Sequence, residues 1–486
     1  MITRPRLLAG AMAAVLWIGL TADTVAAQAD AQPANAHYLR GLEYERQRNL
    51  EAAVGEYRAA IASAPDLGDA HDRLGFVLGL QGHTVEAIAE FEQAVALQPA
   101  SFDARYHLGA TLWWTKQLDR ARTELQRAVA LRPAHAEARY YLAVTERQQG
   151  DLAAALDDFR IALRHDPKLT PAHTQLGVVL QQLGDLDGAI AEFRRALALN
   201  PSLTDAGNSL GLALMQKGDA ESAARALRDV VKASPEFSEA RLNLGIALMQ
   251  GGSLDEAVAE LHELTRRDPR NAEAFYDLGL ALKQRDDFEA AAAALTEAMR
   301  LDPALAEAPF TLGVVLWQTG RAAEAVPILQ DAIARRPDYA EAHYMLATIL
   351  RQQGQPDMAL EEVRRTIAID PRSAEAFTTL GQLLQTNHDA EGARAAFAEA
   401  ERLHKVKADA QAAAFAVNAG LEQLKRKNAA GAIAKFREAV QLAPDNAQAH
   451  FQLALALRGS GRSDEANREF AAARRLAPYL RPPATP

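Results

Sequence analysis

The chain has 486 residues, 49% apolar, only 6% aromatic and none cysteine, with a formal net charge of −10 at pH 7. This excludes a disulfide scaffold and a lipid anchor on an N-terminal cysteine, and the acidic balance argues against a general nucleic-acid binder. Alanine and leucine dominate the apolar fraction, which predicts an all-helical chain.

In chain order, residues 1–27 read as a signal peptide. Arg4 and Arg6 precede an apolar run from Leu7 to Leu20, and "TVAAQADA" offers small residues for cleavage after Ala27 or Ala29. The run is too short for a stable membrane span, and Pro5 between the arginines removes a twin-arginine reading. The expected location is therefore exported, periplasmic or secreted in a bacterium, with no stable span after cleavage. The charge of the remainder is uneven, near −17 over residues 28–400 and near +6 over residues 401–486.

Residues 28–33 form a short linker, and from residue 34 a period of 34 sets in. Prolines at 65, 99, 133, 167, 201, 235, 269, 303, 337 and 371 keep the spacing without a slip, and Pro444 and Pro478 resume it. Glycines such as Gly82, Gly150, Gly184 and Gly218 fall midway. Two breakers per period predict two helices of about 14 residues, each marginal alone in water. We number each repeat from residues 34, 68, 102 and so on to 374, then from 413 and 447. Place 20 is alanine in all thirteen repeats, from Ala53 to Ala466, place 7 is leucine in eleven, and place 8 is mostly glycine, as in Gly75, Gly177 and Gly313. Glycine within a helix lowers its propensity, which predicts close approach of a second helix.

Leucine, glycine, alanine and proline at these places resemble the tetratricopeptide repeat (TPR), and the resemblance covers residues 34–480. It implies an all-α fold: an α-solenoid, a right-handed superhelix of about 13 helix-turn-helix repeats with the first helices lining a concave groove. It implies binding rather than a particular activity. The register breaks once. Lys405 stands where proline is expected and five extra residues pass, so the second helix of that repeat is expected to run long or bend. We read 401–412 as a joint, with 408–412 the insertion, between an eleven-repeat array (34–407) and two further repeats (413–480). An insertion tolerated within one array is the alternative. Residues 481–486 are a tail.

In the family, places 2, 5, 9, 12 and 13 commonly line the groove. Place 13 is a glutamine column: Gln148, Gln182, Gln216, Gln250, Gln284, Gln318 and Gln352. Amides both donate and accept, which suits an extended peptide backbone or sugar hydroxyls. A polar residue ending a helix needs no ligand to explain it. Place 2 is acidic in most repeats, including Glu239, Glu273, Glu307 and Glu341, which suits the helix dipole and also makes the groove acidic. Trp113, Trp114 and Trp317 at places 12 and 13 could stack on sugars or clasp apolar side chains. The lysine and asparagine patterns of the family's carboxylate clamp, and its asparagine ladder, are missing.

No metal-ligand, phosphate-loop or nucleophile motif occurs, and the histidines at place 4, His37, His71, His173, His343 and His450, are read as aromatic packing residues. The chain is therefore expected to be no enzyme and to take no cofactor or metal. The expected function is an interaction scaffold binding an extended protein or peptide segment, preferably basic, in the cell envelope. An accessory role in polysaccharide export or assembly, binding glycan or secretion-machinery subunits, is the alternative.

Overall fold

The computed structural model describes residues 33–477 and Leu480. The expected signal peptide and the 481–486 tail lie outside the described residues. The described residues divide after Leu264 into two compact units, each treated by itself below.

Among the described residues there are 25 helices and no strand. The first seven repeats give α1 (Pro33–Arg46), α2 (Leu50–Ser63), α3 (Gly68–Leu80), α4 (Thr84–Leu97), α5 (Phe102–Trp114), α6 (Leu118–Leu131), α7 (Ala136–Gln148), α8 (Leu152–His165), α9 (Thr170–Gln182), α10 (Leu186–Leu199), α11 (Thr204–Gln216), α12 (Ala220–Ala233), α13 (Ser238–Gln250) and α14 (Leu254–Arg267). The rest give α15 (Ala272–Gln284), α16 (Phe288–Leu301), α17 (Glu307–Gln318), α18 (Ala322–Arg335), α19 (Ala340–Gln352), α20 (Pro356–Ile369), α21 (Ala374–Thr386), α22 (Ala390–Lys425), α23 (Ala429–Leu442), α24 (Ala447–Gly459) and α25 (Ser463–Leu476). The chain is an all-α solenoid of helix hairpins.

Each hairpin turns at place 15, where the backbone is left-handed in all thirteen repeats. Glycine fills that place in eight, and Arg48, Lys116, Asp286, His388 and Lys427 adopt the same positive φ in the other five. A left-handed residue just past a helix end lets the next N–H groups satisfy the last carbonyls. The N–H of Asp185, for example, donates to the Leu180 carbonyl at 2.9 Å. The second helix then starts on a side-chain cap in several repeats, as when Asp185 accepts from the Gly188 N–H.

Within a hairpin the two helices meet at places 8, 20 and 24. Every place-20 alanine is at most 3% exposed. A methyl group built on Gly177 would lie 2.6 Å from the Phe193 ring, and one on Gly313 2.7 Å from Leu329. The glycines therefore mark where the place-24 side chain lies against the facing backbone, as their helix-interior position predicts.

A second tie recurs nineteen residues apart. The Nδ1 atoms of His71, His173 and His343 lie 2.6 Å from Glu90, Glu192 and Glu362, and that of His450 lies 2.5 Å from Glu469. Their Nε2 atoms face the carbonyls of Pro65, Pro167, Pro337 and Pro444 at 3.0–3.1 Å. Arg105, Arg139 and Arg241 make the same two contacts, to Glu124, Asp158 and Glu260 and to the carbonyls of Pro99, Pro133 and Pro235. His71, His173, His343 and His450 are thus not aromatic packing residues but staples holding first helix, second helix and inter-repeat proline together, and His37 makes the same tie to the second helix, to Glu56 at 2.6 Å. The chain itself shows the pairing: where place 4 carries no cation (Gly207, Phe275, Pro309, Phe377, Ala416), place 23 is Ala226, Ala294, Ile328, Ala396 or Lys435, never an acid.

At the register break the second helix runs long, as expected. Helix α22 is 36 residues without interruption, serving repeats 11 and 12, with 408–412 inside it. Place 3 is a buried alanine in repeats 2–11 and in repeat 13, because a preceding repeat packs there; in repeat 12 it is Phe415, 76% exposed. Repeat 12 also carries exposed Glu422 at place 10, as repeat 1 carries Glu43, where the repeats between bury an apolar residue or threonine. Its incoming face thus has the features of a first repeat, and residues 413–470 share a hydrophobic cluster of their own.

Two outcomes are expected. His173→Ala removes the bridge between Glu192 and the Pro167 carbonyl and lowers stability by about 1–3 kcal/mol, whereas His173→Arg retains the parent's denaturation midpoint. His388→Gly relieves a left-handed non-glycine residue and raises the midpoint, by up to about 1 kcal/mol in stability.

Candidate inner-wall binding site

First helices of successive repeats touch one another within each unit, α3 with α5, α5 with α7, α7 with α9, α9 with α11, α11 with α13, and likewise α15 with α17 and α17 with α19. No pair of second helices does so to the same extent. The first helices therefore form the tighter, inner wall.

Polar side chains 35 residues apart cross-link that wall. His107 Nδ1 lies 2.8 Å from buried Asp72, Asn243 donates to Asn208 at 2.9 Å, and the Tyr344 hydroxyl lies 3.3 Å from Thr379. Asn208 in turn donates to Glu239 at 2.9 Å. These place-5-to-place-6 contacts escape a reading of single columns, since the partners belong to different places; a comparison of residues at a separation of 35 would find them.

All seven column glutamines are the last residue of their helix. Gln148 is half-buried and the other six are exposed. The amides bridge sideways to the preceding repeat rather than to each other. Gln216 accepts from Gln181 at 2.8 Å, Gln352 from the Trp317 indole N–H at 2.9 Å and Gln148 from Lys116 at 3.4 Å. Gln182, Gln250, Gln284 and Gln318 make no side-chain hydrogen bond among the described residues, so their amides remain open to a ligand.

The place-2 carboxylates differ in what they can offer. Glu307 is paired with Arg336, which holds its carboxyl below the usual range; Asp103 is paired with Arg132 at 3.2 Å and Glu375 with Lys407 at 3.6 Å. Glu239 keeps one oxygen beyond its bond from Asn208, and Glu273 and Glu341 are exposed on their first turns. The acidic column is thus interrupted by its own chain's cations.

Trp113 and Trp114 are tilted 59° apart with ring centres at 6.4 Å, and Trp113 sits edge-on to Tyr141 at 5.3 Å. Trp113 continues a cluster that includes Phe102, Tyr106 and Tyr141. The Trp113 indole nitrogen and the Tyr106 hydroxyl are buried without a partner. The pair is therefore part of the core's edge, not an open parallel platform, while half-buried Trp317 with Gln352 presents a ring beside an amide.

Two carboxyls near this wall hold protons unusually well. Burial, and then the Asp158 carboxylate, push Glu146 up to about 7; burial, and then Glu273, do the same to Asp277. One Glu146 oxygen has no partner, and the other lies 3.4 Å from Arg122. The folded chain keeps the Glu146 proton to about pH 7 whereas an unfolded glutamate loses it near its ordinary value, so this group's contribution to stability is present at low pH and lost as pH rises through about 7. Glu146→Gln is expected to melt with the parent near about pH 5 and above it near about pH 8, measured by circular dichroism.

Hydrogen bonding and charge are what this wall can supply. Among the described residues no group of three or more His, Asp or Glu side chains could hold a metal ion.

Matches to the tetratricopeptide repeat cover residues 34–67, 80–145, 214–279, 282–349, 316–383, 378–447 and 447–472, and a TPR repeat match covers 182–218. No curated protein matches the chain in sequence. Among solved structures, the crystal structure of MamA is 27% identical over 34% of this chain and 96% of its own, with a TM-score of 0.33. That of YrrB, described as a TPR protein with an unusual peptide-binding site, is 21% identical over 38% and 95%, with a TM-score of 0.33. The APC/C hetero-tetramer Cut9-Hcn1 is 15% identical over 92% and 94%, with a TM-score of 0.34.

Proposed function

Because the chain belongs to the tetratricopeptide repeat family, we propose that it is a non-catalytic scaffold that binds an extended protein segment along its first helices in the bacterial cell envelope. The observation that carries this reading is the inner wall within each unit: first helices in contact whose last residues present amides one repeat apart, as at Gln182, Gln216 and Gln250 in the first unit. An extended backbone offers donors and acceptors repeatedly, and an amide can answer either. Unpaired Glu273 and Glu341, with Glu239, favour a partner carrying basic side chains. Export rests on the N-terminal charge and apolar pattern alone. No described helix is long and apolar enough to cross a membrane.

The second reading, a polysaccharide-binding accessory of an export system, draws on Trp317 beside Gln352, since a ring face and an amide together suit a sugar. Retrieval of partners from the native cells separates the two. A protein partner released by moderate salt, and lost when Gln182, Gln216 and Gln250 are replaced by alanine, is the expected result. Glycan retained in salt and lost with Trp317→Ala would replace the first reading with the second. N-terminal sequencing of the mature chain tests export, with starts after Ala27 or Ala29 expected.

A further inference from the structure

The second helices of repeats 4–6 carry a surface of opposite character. One cleft, of about 530 Å³, opens between α8, α9 and α10; its floor is Leu163, Pro167 and Leu176, and Arg160, Arg164 and Arg195 border it. The next, of about 480 Å³, lies between α10, α11 and α12 one repeat on, with Leu197, Leu210 and Val230 inside and Arg194 and Arg225 at its border. Helix α10 is the wall shared by both.

The second cleft occupies the same places one repeat on; the first keeps the staple pair His173 and Glu192 in its lining, whereas repeat 6 has no staple. Place 4 is Gly207 and place 23 is Ala226, and Val230 leans toward Gly207 so closely that a Cβ there would lie 2.4 Å from it. No other repeat lacks side-chain bulk at both staple places.

Three of the five arginines around the clefts are not neutralised within the chain. Arg160, Arg164 and Arg194 are exposed and make no ion pair or side-chain hydrogen bond among the described residues, although most of the described arginines are paired. Arg195 holds Glu192, itself held by His173, and Arg225 holds Glu221. Asp229 is the one other carboxylate lining either cleft. This cationic surface lies in the part of the chain whose net charge is near −17.

We propose that the second helices α8, α10 and α12 form a separate docking surface for an acidic protein segment that inserts apolar side chains into the two clefts. Unpaired guanidinium groups bordering recessed apolar volume complement carboxylates flanking an aliphatic or aromatic anchor. A nucleic-acid backbone would use the arginines and leave the clefts empty, and a membrane surface calls for apolar groups that protrude rather than recede. The surface shares no residue with the glutamine column, so its failure and that of the inner-wall reading are distinguishable.

The test is fluorescence anisotropy of the full chain with glutamate-rich peptides carrying two leucines at varied separation. At least one peptide is expected to bind, and to weaken about tenfold or more with Arg160→Glu, Arg164→Glu and Arg194→Glu combined. Replacing its leucines by serine, or plugging the first cleft with Ala198→Trp, is expected to weaken it comparably. Both sets of substitutions are at exposed positions, and an unchanged melting curve establishes that the fold is intact. Gln182→Ala and Gln216→Ala are expected to leave this binding unchanged. Absence of binding across the panel, equal binding by the serine peptide, equal binding by the charge-reversed chain, or displacement by phosphatidylglycerol vesicles but not by excess leucine peptide would each overturn the proposal.

Discussion

The close approach of the two helices in each hairpin is the constraint on which the rest depends. A glycine at place 8 accepts a ring or leucine from place 24, and an alanine at place 20 leaves no bulk between the backbones. With that distance held, the two helices of a hairpin form one closed layer that the next hairpin packs against. Within each unit that stacking brings successive first helices into contact along one wall, and in repeats 4–6 it leaves clefts beside the second helices. Larger residues at these places would separate the helices unequally from repeat to repeat, and neither wall would be continuous.

Hydrophobic packing of this kind is nearly degenerate among thirteen similar repeats, so polar contacts supply the distinctions. Where it is present, the staple from place 4 to place 23 and the inter-repeat proline ties a hairpin to the loop before it. The place-5-to-place-6 contacts, such as Asp72 with His107 and Asn208 with Asn243, tie one hairpin to the next. Unlike a leucine contact, a buried carboxylate or amide is costly to leave without its partner, which penalises a slipped register. The same reasoning explains repeat 6. Loss of both staple members together removes the tie without stranding a charge, and Gly207 and Ala226 in their places line a cleft.

The two walls then have different chemistry from the same scaffold. First helices end in amides and begin in carboxylates, so the inner wall is polar and partly acidic, moderated by Arg132, Arg336 and Lys407. Second helices of repeats 4–6 place arginines beside apolar hollows. A solenoid permits this because each surface position is set by its own repeat and constrained only by its neighbours.

Much of this was legible in the residues alone. Proline and glycine spacing located the helices, because a ring without an N–H and a left-handed turn each stop a helix locally, and place-20 alanine announced tight packing. The long helix across 401–412 followed from the missing breaker. The glutamine column's position at helix ends was also readable, as a consequence of register. Tertiary structure alone decided what those side chains touch. His173 and Arg105 share a role that neither its own sequence neighbours nor its residue type declares, since their carboxylates come from the facing helix nineteen residues on. Trp113 turned out to belong to an aromatic cluster rather than to an open platform, because Tyr141 of the next repeat packs against it. Local breakers act through the chain's own backbone and are therefore written in order, whereas ion pairs, ladders and clefts are made by residues that meet only once the hairpins have stacked.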